Sequence, residues 1–495
     1  MARPGLQTKA AAISLGLEGP SGAPAHLAQA RMLLDTGRAA EAFQLADRAL
    51  ALGVDDVVTW DIIAGALEAL GEVALAAAAR ERALSFDPDR ADLHAGLGRL
   101  YEALDRPFDA AARYQRALAL DASLVEAHVA LSGLFGRADQ FARARAHAEA
   151  ALALAPDSQG AHQNLAAICD HEGRCGEAEA HRERAYRAAP LIITRAAHAR
   201  RRVLTLASAA RANSPDRYLI PPARYDRLTW FIDYADEVHG DPQDFDVVFN
   251  AIADPDVAGP TAAKAAAFLA RCGRPALNSP EQIARTVRHE AKPLFAGVAD
   301  LVAPETTRVE RGVDLSFLPE EHFWLLRPIG SHGGERMERL HAADIGDRLG
   351  AGAYYLTVYH DYRSADGFYR KYRVFFVDRE PYPYHLAIHG DWLVHYQSSG
   401  TASRSDWIKE ELRFLENPEA ALGARAWRAI CEVGKRLDLD FAGVDFAVLS
   451  DGRALLFEAN ATMYVHPEPS DGALAHKNRF VQRILEAFWT RLESA

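Results

Sequence analysis

A chain of 495 residues exceeds what one small core organises, and at roughly 100–200 residues per domain it calls for about three units, or for a repeat array joined to one large enzyme. Hydrophobic residues at 49% and charged residues at 25% exclude a disordered chain and a coiled coil. The formal net charge of −12 argues against sequence-independent nucleic-acid binding, which needs clustered Lys and Arg.

The segment 1–23 reads as an N-terminal tail. It lacks an apolar core next to a basic start, so it is a poor secretory signal. No stretch reaches the roughly 18 uninterrupted apolar residues of a spanning helix. The four cysteines, Cys169, Cys175, Cys272 and Cys431, form no Cys-x-x-Cys pair and read as reduced thiols. A cytoplasmic protein with no membrane contact is the expectation.

At an offset of 34 residues, Ala49, Ala83, Ala117, Ala151 and Ala185 fall in one column, and Pro88, Pro156 and Pro190 in another. Each unit reads as two helices, such as Asp92 to Leu104 and a second ending at Leu120. Small residues (Ala64, Gly65, Gly96, Gly98, Ala130) allow close helix approach. Leu97, Tyr101, Phe108 and Tyr114 are expected to supply the packing bulk, and Gly37, Gly71 and Gly173 to close helices in the left-handed conformation. The pattern resembles the tetratricopeptide family over residues 24–190, in about five repeats. That resemblance implies a concave surface for a peptide or protein partner, whose identity the repeat pattern leaves open.

After Pro190 the helical period gives way to apolar runs at Val203–Ser208, Leu228–Tyr234 and Phe245–Ile252, read as buried strands of a mainly parallel sheet. Helices are expected at Thr261–Cys272 and at Pro280–His289, the second capped by Asn278 and Ser279. Asn250 lies just past a strand end, where open sheets place ligand contacts; it reads either as a substrate contact or as a turn residue.

Farther along, Phe323–Pro328 is a strand carrying Arg327 into the glycine-rich loop Ile329-Gly330-Ser331-His332-Gly333-Gly334. Backbone N–H groups of such a loop approach phosphate oxygens closely, and a cation at the strand end offsets their charge. The loop fits neither the Walker nor the Gly-x-Gly-x-x-Gly spacing. Phe441–Val448 and Ala454–Asn460 flank an Asp-Gly turn and read as a hairpin. Alternation puts Glu458 and Asn460 on one face, with Asp445 on the paired strand. Three oxygen donors of this kind suit magnesium; the competing reading is that the acids are salt-bridged.

A glycine-rich loop after a cation-ended strand, followed by a hairpin bearing Asp and Glu-x-Asn, resembles the ATP-grasp superfamily, from Arg201 to about Trp489. The resemblance also draws on an entry strand at Pro304–Thr307 and an Arg-bearing strand at Tyr372–Val377. Similar members include glutathione synthetase, D-alanine–D-alanine ligase and enzymes that add amino acids to peptide ends. The implied organisation is a multidomain chain: an all-α tetratricopeptide solenoid at 24–190, an α/β domain preceding the grasp at 191–300, and an α+β ATP-grasp domain at 301–495.

The implied cofactors are ATP and Mg²⁺, the metal held by Asp445, Glu458 and Asn460. Arg288, Arg327, Gly330, Ser331, Gly333 and Gly334 would meet phosphates, and Tyr355, Leu356, Thr357 and Val358 would lie near adenine. Arg373 and Arg327 would act catalytically on a carboxylate, passing through an acyl phosphate that an amine, such as a small amine or amino acid, then attacks. Arg327 and Arg288 stand where the family has lysines, and Arg is not equivalent to Lys at a phosphate site. His389, His395 and His466 are candidate substrate contacts. The alternatives are a repeat-based adaptor with a silent nucleotide domain, and an ATP-grasp kinase.

Overall fold

The computed structural model describes residues 22–196, 198–210, 213–236, 238–331, 334, 336–395, 399–469 and 472–495. Most of the tail, at 1–21, and two positions of the glycine-rich loop, His332 and Gly333, lie outside the described residues. The chain divides into two compact units, Met1–Ala188 and Ala189–Ala495.

The first unit is a helical repeat array. Its helices pair in sequence: α1 (Ala23–Asp35) with α2 (Ala39–Ala51), α3 (Val57–Ala69) with α4 (Val73–Phe86), α5 (Ala91–Ala103) with α6 (Pro107–Leu120), α7 (Val125–Arg137) with α8 (Phe141–Leu154), and α9 (Gln159–His171) with α10 (Cys175–Tyr186). Every alanine of the 34-residue column is buried. A Cβ on Gly65, Gly98 or Gly160 would come within 2.7–2.9 Å of Leu34, Tyr114 or Val129, so these positions set how closely the helices approach. The turn after each first helix is left-handed in all five repeats, at Gly37, Gly71, Asp105, Asp139 and Gly173, with Asp tolerating the conformation where Gly is missing. Leu97, Tyr101 and Tyr114 are buried as expected, but Phe108 is 89% exposed, because the first turn of α6 points it to solvent.

The repeat period also generates a ladder of histidines. His94, His128 and His162 each bring Nε2 to a backbone oxygen six residues earlier. That contact requires the proton on Nε2 and leaves Nδ1 of His128 and His162 as an acceptor, facing Nδ1 of His147 at 3.0 Å and of His181 at 2.9 Å. Burial, then the neighbouring histidine and an arginine (Arg143 or Arg184), lower the pKa of His147 and of His181. A lowered histidine pKa means the native state binds fewer protons than the unfolded chain near pH 6. The stabilisation is therefore complete above the unfolded value of about 6.5 and is lost as pH falls below it. The melting temperature of the array is expected to drop between pH 7.5 and pH 5, and a His147→Phe, His181→Phe chain to show a smaller drop; equal slopes by circular dichroism would contradict this.

The second unit holds three sheets. The first has the order β1-β3-β2-β4-β5, built from β1 (Leu191–Thr194), β2 (Arg202–Ala207), β3 (Asp226–Phe231), β4 (Val247–Asn250) and β5 (Ala276–Leu277). It is parallel apart from β1, as expected of alternating strands and helices. β4 is shorter than the apolar run Phe245–Ile252 suggests. The segment α11 (Pro255–Cys272) is two helical pieces joined across Gly259, whose φ of +22° and ψ of −107° are not helical, so the expected helix Thr261–Cys272 matches its second piece. The capping box of Ser279 and Gln282 forms, but α12 (Pro280–Ala284) stops five residues short of His289, and a short α13 (Ala291–Leu294) follows.

The second sheet is antiparallel, in the order β7-β10-β8-β9, from β7 (Thr306–Glu310), β8 (Phe323–Pro328), β9 (Glu338–His341) and β10 (Ala353–Val358), with α14 (Ala342–Arg348) behind it. The third has the order β12-β11-β13-β14-β6, from β6 (Leu301–Val302), β11 (Tyr369–Val377), β12 (Glu380–His389), β13 (Phe441–Val448) and β14 (Ala454–Asn460). The expected hairpin is β13–β14. Tyr372, Val374 and Phe376 on one face of β11 pack with α15 (Ser405–Glu416), α16 (Pro418–Leu422) and α17 (Ala424–Leu437). Phe375 and Val377 on the other face share a core with α18 (Asn478–Ser494) and with Val203, Val247 and Phe249 of the first sheet.

Candidate functional site

Strand alternation delivers the charged groups. Lys371 and Arg373 project from the face of β11 opposite to Tyr372 and Val374, and Arg373 lies in register with Asp445 of β13, which lies in register with Glu458 of β14. Asn460 follows two residues on, opposite Gly443. Register shifts fall directly after Arg373 and after Asp445, and such bulges re-aim side chains beside sites.

Arg373 holds Asp445 with a two-point fork, Nε to Oδ1 at 2.6 Å and Nη2 to Oδ2 at 2.9 Å, and Lys371 Nζ lies 3.2 Å from Oδ2. Glu458 accepts from the Arg288 guanidinium and from Asn460 Nδ2, the latter at 2.6 Å. Asn460 Oδ1 accepts from the backbone N–H of Thr462 at 3.0 Å. Burial alone would raise the Asp445 carboxyl, but Arg373 and Lys371 outweigh it and hold Asp445 well below the carboxylate range. The same contest at Glu458, with Arg288 and Arg327 opposing burial, leaves it at about 2. Burial and the like charge of Arg288 push Arg327 down to about 10.

These groups line one cleft of about 1380 Å³, counted with its open mouth, walled by β8 and β10 on one side and by β11, β13 and β14 on the other. Among the described residues, Arg288, Arg327, Lys371 and Arg373 face Asp445 and Glu458 there, an excess of two positive charges. The lining also holds two aromatic pairs in ring contact, Tyr359 with Trp392 and Tyr362 with Phe457. A cavity lined by both cations and aromatic rings can take a ligand that carries both an anionic group and an aromatic ring.

The sequence-predicted residues divide. Arg288, Arg327, Arg373, Gly334, Tyr355, Thr357, Val358, Asp445, Glu458, Asn460 and His395 line the cleft. Leu356 does not: alternation turns it into the core with Leu326 and Trp324. Gly330 and Ser331 line a smaller adjoining compartment with Asp254, Asp256 and Arg327. Ser331 also ties down Arg327, whose Nε lies 3.2 Å from its Oγ. A Cβ on Gly334 would fall 2.6 Å from the His395 ring, so only glycine lets the loop pass so close. Gly333 lies outside the described residues.

Asn250 serves the fold: its Nδ2 donates to Asn278 O at 2.9 Å and its Oδ1 accepts from Ile252 N, both inside the core. His389 accepts from Asp391 N, and His466 meets Tyr384 OH at 2.9 Å and stacks on Tyr464; neither lines the cleft. The residue that sequence reasoning passes over is Lys371. Its signal was the i, i+2 spacing from Arg373 on a strand.

Two carboxylates and an amide oxygen fit the hard-oxygen preference of magnesium, which commonly uses one or two carboxylates. Among the described residues, no group of three or more His, Cys, Asp or Glu gathers into a metal site of its own. No helix among them is long and apolar enough to cross a membrane.

No family model matches the chain, and no curated protein matches it. Among solved structures, the chain is similar to MamA at 17% identity, covering 34% of this chain and 91% of that one with a TM-score of 0.32. It is similar to YrrB, described as a TPR protein with an unusual peptide-binding site, at 19% identity, covering 33% and 85% with a TM-score of 0.31. PilF of Pseudomonas aeruginosa matches at 17% identity, covering 33% and 75% with a TM-score of 0.31.

Proposed function

We propose that the Ala189–Ala495 unit is an ATP-grasp ligase that joins a carboxylate to an amine with release of ADP and phosphate, and that the repeat array recruits a peptide or protein substrate. The observation that carries this reading is the convergence of four cations and two carboxylates in a cleft between an antiparallel sheet and a mixed one, with aromatic side chains in its lining that suit a nucleotide base. Arg288, Arg327, Lys371 and Arg373 bind and orient the phosphates and offset the charge that passes to the substrate carboxylate. Tyr355, Thr357 and Val358 give the base a wall. Magnesium, held by Asp445, Glu458 and Asn460, would supply further neutralisation of the phosphates when bound.

The adjoining compartment with Asp254 and Asp256 opens beside Arg288 and Arg327, next to where the phosphates would sit, and offers the acceptor a place. A repeat array that holds a substrate raises its local concentration at the enzyme. An array of stacked helix pairs also supports an adaptor role on its own, because its exposed surface is free to bind protein partners.

The test is ADP release by the full chain supplied with ATP, magnesium, and pools of amino acids and short peptides. The Glu458→Ala, Asn460→Ala chain is expected to lose that release by at least about 100-fold, since both changes strip the phosphate end of its metal donors. Release that persists in this chain would remove the site from the reaction.

A further inference from the structure

The ion pairs of the cleft imply a rule for how it fills. We propose, resting on the nucleotide reading above, that Asp445 and Glu458 are resident counter-ions for the phosphate-binding cations, so that nucleotide and divalent cation bind by exchanging ion pairs and each enters well only with the other. In this scheme Lys371 joins Arg373 as a phosphate-binding residue.

Asp445 is 2% exposed and is held at once by Arg373 and Lys371, while Glu458 is held by Arg288. A nucleotide arriving alone must draw Lys371 and Arg373 away from Asp445. That leaves a buried carboxylate unpaired beside incoming phosphates, an arrangement of like charges with desolvation against it. A divalent cation arriving alone takes Asp445 and Glu458 from their partners and adds charge beside Arg288, Arg327, Lys371 and Arg373, which already outnumber the two carboxylates among the described residues. When both arrive, the carboxylates pass to the metal, and the freed guanidinium and ammonium groups pass to the phosphates. Every charge then keeps a partner, and the coupling is reciprocal by linkage.

The experiment is calorimetric titration of ADP into the full chain, in EDTA and in magnesium. Wild type is expected to bind at least about 10-fold more weakly in EDTA. Asp445→Asn keeps the side-chain shape, removes the counter-ion and frees Arg373 and Lys371. Its affinity for ADP in EDTA is expected to exceed that of wild type in EDTA by about 10-fold, with little further gain from magnesium. Glu458→Gln, which frees Arg288, is expected to shift the same way and serves if circular dichroism shows that Asp445→Asn does not fold. Lys371→Met is expected to weaken binding in magnesium by about 10-fold.

The exchange is overturned if wild type binds ADP equally well in both buffers, or if the folded variants bind ADP in EDTA no tighter than wild type. Unchanged affinity in Lys371→Met removes that residue from the phosphate site. If wild type binds ADP in neither buffer, the nucleotide reading itself fails, and that outcome is distinct from failure of the exchange alone.

Discussion

Arg373→Ala is expected to cost the Ala189–Ala495 unit about 3 kcal/mol of stability. The stability loss follows from Asp445. Its carboxylate is buried, and two of its three short cationic contacts are the nitrogens of the Arg373 fork; removal leaves Lys371 at 3.2 Å to carry the charge alone. Breaking a buried pair from one side is costlier than removing both partners, so Arg373→Ala, Asp445→Ala should recover part of the loss. Arg373→Lys keeps a charge but not the two-point geometry, and should fall between wild type and Arg373→Ala. Denaturant titrations of the four chains check the ranking. A double variant less stable than Arg373→Ala would show that the pair is not the source.

The second large effect is expected at a residue that does not line the cleft. Asn278→Ala should lower stability by about 4 kcal/mol, the sum of two buried backbone groups left without partners and a left-handed position given to Ala, which lacks the polar side chain that lets Asn tolerate it. Asn278 is fully buried at φ +58°, donates from Nδ2 to Phe441 O at 2.9 Å, and accepts at Oδ1 from Phe441 N at 3.0 Å. Its own N–H donates to Asp440, and its own oxygen accepts from Asn250. Through these bonds the first sheet fixes the start of β13, four residues before Asp445. Asn278→Gly removes the side-chain bonds but not the conformational fit, so it should be less damaging by about 1 kcal/mol. Equal losses in the two variants, measured by urea unfolding, would rule out the backbone contribution.

What can be read in the sequence depends on whether the cause is local. The 34-residue columns reflect contacts between neighbouring helices, so the array, its buried alanines and its left-handed turns are all legible. The β13–β14 hairpin is legible for the same reason: the Asp-Gly turn and strand alternation together place Asp445 opposite Glu458. Asn250 is not, because its partner Asn278 lies 28 residues away and that residue's partner Phe441 a further 163. The end of α12 at Ala284 has no Gly or Pro to announce it, whereas the Gly259-Pro260 pair announces the non-helical break inside α11 after which the expected helix runs to Cys272. Lys371 was available from alternation with Arg373, but its meaning depends on Asp445 arriving from a strand more than seventy residues later. The salt-bridged and metal-binding readings of the two acids, alternatives at the level of sequence, are joined in the proposed exchange.

The proposed activity is turnover of ATP in the cleft to join a carboxylate and an amine. The most direct measurement is ADP release by the purified wild-type chain in ATP and magnesium, with carboxylate and amine pools offered separately and together. Release that needs both pools is expected. No release under any combination, together with no ATP binding by titration, would contradict it and leave the repeat surface as the working part of the molecule.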